Sequence, residues 1–82
     1  MTQIEEHLQT VHDALLFALE KHPEPFSSAH EAYGVIQEEM DGVWEEIKKD
    51  DLPKAKEEAA QLAAMAIRLM LELDVDPRNS IR

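Results

Sequence analysis

The chain contains no cysteine, so neither a disulfide framework nor a thiolate zinc site is open to it, and the redox compartment leaves no mark on the sequence. Cations are scarce: 8 Lys and Arg stand against 18 Asp and Glu, for a formal net charge of -10. That deficit argues against nucleic acid as a partner, because neutralising phosphates takes clustered cations. It argues equally against an anionic membrane surface, and it favours divalent metal ions and basic partners. No apolar run approaches the roughly 20 residues of a membrane span. The opening Met-Thr-Gln-Ile-Glu-Glu-His has neither the basic nor the apolar segment of a signal peptide. A soluble, cytoplasmic protein is the expectation. The 44% of hydrophobic residues is too high for a disordered acidic chain. Yet 82 residues bury surface poorly on their own, which points towards self-association.

Glycine occurs twice and proline four times, and the prolines mark the breaks. Pro23-Glu-Pro25-Phe26 cannot continue a helix. Asp50-Asp51-Leu52-Pro53 is a second stop, with a proline suited to a first helical turn. Asp76-Pro77 opens a polar tail. Three helix-length segments lie between, and no alternating β-branched run or internal repeat is present. The first spans about residues 3–22, with Thr2 and Glu5 at capping-box spacing and a stripe of Ile4, Leu8, Val11, Leu15 and Leu19. The second spans about residues 29–49, with Ser28 and Glu31 at the same spacing and an apolar face of Tyr33, Ile36, Met40, Val43, Trp44 and Ile47. The third spans about residues 53–73 and is apolar around most of its circumference. Such a helix must be covered on several sides, more than two partners in one chain supply. The expected fold is all-α: a three-helix chain that completes a helical bundle by homo-oligomerisation. Residues 1–76 form the single domain and 77–82 the polar C-terminal tail.

Most of the acids read as solvated helix faces. Glu39 does not: at about 100° per residue it falls between Val35 and Val43, inside the apolar arc of the second helix. Glu46 lies further along the same line, with Gly42 between, while Glu38, Asp41 and Glu45 sit on the outer flank. On the third helix Glu58 borders Leu62 and Leu69, and Gln61 shares its face. Half-buried ionised carboxylates are costly unless a cation balances them, and facing carboxylates repel and raise one another's pKa. A divalent ion resolves both, and hard oxygen donors on rigid helices suit magnesium or manganese. The alternative is a salt bridge to Arg68, Lys48 or Lys54.

Residues 30–49, HEAYGVIQEEMDGVWEEIKK, resemble the first metal-binding helix of the MazG-like nucleotide pyrophosphohydrolases, and residues 57–68, EEAAQLAAMAIR, resemble the second. The resemblance covers roughly residues 26–73 and is closest to the short MazG-like proteins of phage and bacterial genomes. It implies an all-α fold assembling as dimers or tetramers, and magnesium-dependent hydrolysis of nucleoside triphosphates to monophosphate and pyrophosphate, with water attacking the α-phosphorus. The family's Glu-Glu-x-x-Glu pattern places its first two acids on Glu38 and Glu39, and its Glu-x-x-Asp pattern places an acid on Glu58. These three are the implied catalytic residues. The implied metal ligands are the same three, with Gln61 and Glu46. Two positions depart: the last acid of the first pattern falls on Gly42, and the Asp of the second on Gln61. An amide oxygen still ligates, whereas Gly42 removes a side chain; Glu46, one turn on, is the substitute in reach, and Asp41 would require the helix to rotate. A catalytically degenerate binding or assembly module on the same scaffold is the alternative.

Lys48, Lys49, Lys54 and Lys56 surround the second turn, either compensating a helix dipole or meeting outer phosphates. The substrate-binding candidates are Lys48, Lys54, Arg68 and Trp44, with Arg68 pairing Glu72 at i+4 as its alternative role. Trp44 and Tyr33 read first as core residues, and with Phe26 they are also stacking candidates for a base. The histidines at 7, 12, 22 and 30 form no zinc spacing, and no phosphate loop or nucleophile triad is present.

Overall fold

The computed structural model describes residues 2–75. They form three helices and no strand: α1 (Gln3–Lys21), α2 (Ala29–Lys48) and α3 (Leu52–Val75). The proposed tail at 77–82 lies outside the described residues.

Each helix starts and stops where local chemistry demands. At α1 the Glu5 N–H donates to Thr2 Oγ1 and the Thr2 N–H donates to a Glu5 carboxylate oxygen, a complete capping box. At α2 the Glu31 N–H donates to Ser28 Oγ at 3.0 Å. The reciprocal half is absent, because the Glu31 carboxylate turns to the Ser27 N–H and hydroxyl at 3.1 and 2.6 Å. The box expected from spacing is therefore half formed, with the second acceptor spent one residue earlier. At its other end α2 closes with Asp50 at φ 60°. The Asp50 N–H donates to the Ile47 carbonyl at 3.0 Å and the Asp51 N–H to the Glu46 carbonyl at 2.9 Å, the bonding pattern of a Schellman motif. Asp51 then caps α3, its carboxylate accepting from the Lys54 N–H.

α3 is the central element. Both α1 and α2 pack along it, and their backbones do not approach each other. Ala55 and Ala64 of α3 and Ala32 of α2 are buried, and small side chains there let the helices come close. Leu15, Ala64 and Met65 form the centre of the core, with Val11, Leu19, Phe26 and Ile36 packed around it. No helix among the described residues is long and apolar enough to cross a membrane.

The expected apolar faces are only partly inside. On α2, Val35, Ile36, Glu39, Gly42, Val43 and Glu46 are half-buried, whereas Tyr33, Met40, Trp44 and Ile47 are exposed. Tyr33 is 68% and Trp44 56% exposed, so the core role expected of both is corrected: neither enters the core of this chain. The face read from the sequence as one stripe covers an arc of about 100° at helical period, and only its Ile36 and Val43 edge is covered. Ile4 and Leu8 of α1, and Met70 and Leu71 of α3, are likewise uncovered. His7 and His12 of α1 are exposed.

Candidate functional site

The seam between α2 and α3 holds the acids that fell on the wrong side of the helical pattern. Glu39 and Glu46 are half-buried on α2, and Glu58 is half-buried on α3. Glu58 reaches across to α2 and lays its carboxylate on Gly42. A Cβ added at Gly42 would stand 2.9 Å from Glu58 Oε2 and 3.5 Å from Cδ. The space a side chain at 42 would fill is thus taken by an acid from the neighbouring helix.

Glu39 and Glu58 lie close enough to feel each other's charge. Burial first, then Glu58, then Glu38 push the Glu39 carboxyl above its ordinary value. Among the described residues no Lys, Arg or His stands within 4 Å of Glu39, Glu58 or Glu38. The salt bridges from Glu39 or Glu58 to Arg68, Lys48 or Lys54 that were the alternative reading are not formed.

The other sequence candidates distribute unevenly. Glu38 is exposed at the edge of the seam, one residue from Glu39. Gln61 lines the same cleft as Glu39, a cavity of about 530 Å³ between the start of α2, the end of α1 and α3. Glu46 is paired with Lys49 at 3.6 Å, so the substitute acid already has a counter-ion. Lys48 is paired with Glu45 at 2.8 Å and stands over the Trp44 ring at 5.7 Å, and this pairing holds the Glu45 carboxyl below its usual range. Lys54 is exposed, one helical turn before Glu58. His30 is exposed at the start of α2, where Ser28 does the capping.

Arg68 is 4% exposed, and its polar contacts run to its own helix and to the proline-flanked loop. Its Nε donates to Glu72 at 3.2 Å. One Nη donates to the His22 carbonyl at 2.9 Å and to the Glu24 carbonyl. The guanidinium stacks on Phe26, 4.8 Å from the ring centre, and Glu72 in turn accepts from the Phe26 N–H at 2.8 Å. The pairing with Glu72 could be read from the i+4 spacing. The loop carbonyls could not, because they lie more than forty residues away in sequence. Phe26, a stacking candidate, has one face covered by this guanidinium.

A hard divalent ion suits the donors gathered here: carboxylates from two rigid helices, seated against a backbone cradle, with an amide oxygen in the adjoining cleft. As the side chains stand, no three His, Asp or Glu residues among those described are grouped to hold an ion. Glu58 and Glu38 both act on Glu39 through their charge, and Glu38 is exposed. No protein-family model, curated protein or solved structure matches the chain.

Proposed function

We propose that this chain is a magnesium-dependent nucleotide pyrophosphohydrolase that works as a homo-oligomer, with manganese able to replace magnesium. The observation that carries the reading is the approach of Glu58 to Glu39 across the α2–α3 seam, with no protein cation beside either acid among the described residues. An uncompensated pair of half-buried acids is costly in a metal-free protein and favourable around a doubly charged ion. The resemblance of both acid-bearing helices to the MazG-like pattern supplies the substrate class.

Glu39 and Glu58 would hold the ion, with Glu38 and the Gln61 amide oxygen completing the donor set. When bound, the ion supplies charge neutralisation on the phosphates and a more acidic water. Hydrolysis forms a bond from water oxygen to the α-phosphorus and breaks the bond to the bridging oxygen of the β-phosphate. Nucleoside monophosphate and pyrophosphate leave, and the proton lost by water passes to a carboxylate of the group or to solvent. Lys54, exposed one turn before Glu58, would meet the outer phosphates that the acids otherwise repel. Arg68 acts by fixing the loop that walls the cleft. A second copy of the chain covers the Tyr33–Met40–Trp44–Ile47 stripe.

The test is pyrophosphate release from a panel of nucleoside triphosphates at high protein concentration with magnesium. Release that disappears in Glu39→Gln and in Glu58→Gln supports the proposal. No release above background from any triphosphate ends it. A binding or assembly module on the same scaffold is then the better account. The pairing of Glu46 with Lys49 and the uncovered apolar stripe favour that second reading.

A further inference from the structure

We infer that Gly42 is a positioning residue: its bare Cα is the seat that holds the Glu58 carboxylate against Glu39. The inference rests on the reading of Glu39 and Glu58 as cation ligands.

A Cβ at Gly42 would lie 2.9 Å from Glu58 Oε2, 3.5 Å from Cδ and 4.0 Å from Cγ, so the whole outer half of the Glu58 side chain rests on this one residue. Among the described residues no donor or cation fixes the Glu58 carboxylate from elsewhere: the side chain takes part in no hydrogen bond and no ion pair. Contact with α2 is what selects its rotamer. Any side chain at 42 occupies that volume. The acid can then rotate away, since its carboxylate is the far end of a flexible chain, and the fold survives. What is lost is its place beside Glu39. Gly34 is the internal control. It sits on the same helix, and a Cβ there would meet nothing within 4 Å. The two glycines of α2 have the same helix propensity and differ in what lies above them.

The experiment compares melting midpoints at one protein concentration for the wild type, Gly34→Ala, Gly42→Ala, Glu58→Ala and the Gly42→Ala/Glu58→Ala double variant. Without metal, Gly34→Ala should raise the midpoint by roughly 4 to 8 °C, the effect of replacing glycine in an exposed helix. Gly42→Ala should gain less than half of that while Glu58 is present, and the full amount in the Glu58→Ala background. Equal gains in both backgrounds overturn the seat. With manganese at ten times its dissociation constant, the wild type and Gly34→Ala should melt about 5 to 10 °C higher than without it. Gly42→Ala should lose at least half of that shift despite its undiminished stability. Retention of the full shift overturns the positioning role. If the wild type shows no shift, the cation reading falls and the positioning role falls with it, while the metal-free comparison still decides whether the seat exists.

Discussion

Glu39 is a half-buried acid whose nearest charged neighbours are also acids. Its folded-state pKa is raised by burial and by Glu58 and Glu38, so the folded chain holds this proton more tightly than the unfolded chain does. Stability from this group therefore falls as pH rises through the window that opens at the ordinary value of 4.5 and ends at the raised one. Glu5, Glu31 and Glu45 act in the opposite sense: their lowered values give stability present above 4.5 and lost as pH falls through them. In metal-free buffer, Glu39→Gln should raise the melting midpoint at neutral pH and flatten its decline as pH rises above 4.5. A lower midpoint for Glu39→Gln at neutral pH would contradict this. Arg68 is the reverse case, a buried cation with every observed contact satisfied. Arg68→Met should cost about 3 kcal/mol, because the Glu72 carboxylate and the His22 and Glu24 carbonyls lose their donor. A fall in the urea midpoint with unchanged slope checks it. The placement of Glu39 was legible from helical phase alone. The seat at Gly42 was not, since it depends on a side chain from another helix, and neither was the loop clamp of Arg68.

The three helices and their breaks were legible because prolines, caps and apolar period agree at each boundary. The half-formed box at Ser28 was not, because the Ser27 N–H and hydroxyl take the same carboxylate. The turn from α2 to α3 shows the limit of spacing rules in another way. Its left-handed position is filled by Asp50, at φ 60°, rather than by the usual glycine. Asp50→Gly should stabilise the chain by about 0.5–1 kcal/mol. Chemical denaturation would register the gain, and a loss would mean that the Asp50 side chain does more than tolerate its conformation. Period alone also could not show which edge of the apolar arc of α2 is covered. Only the position of α3 separates Val35, Ile36 and Val43 from Tyr33, Met40, Trp44 and Ile47.

At the scale of the whole molecule, the chain buries a core of one leucine, one methionine and several alanines while leaving a Trp, a Tyr and several Leu, Ile and Met residues uncovered. That uncovered stripe is where the proposed second copy would seat. Sedimentation at micromolar concentration should give a mass of at least twice 9.4 kDa, and Trp44→Glu should shift it towards the monomer. A monomer across the whole concentration range would remove the proposed assembly. The acids of the α2–α3 seam belong to one chain and do not depend on that outcome for their convergence. Their purpose is tested most directly by titrating manganese into the protein and following the free ion by electron paramagnetic resonance. The account expects saturable binding that is lost, at least tenfold in affinity, in Glu39→Gln and in Glu58→Gln. Binding that is absent in the wild type, or indifferent to both substitutions, would contradict it.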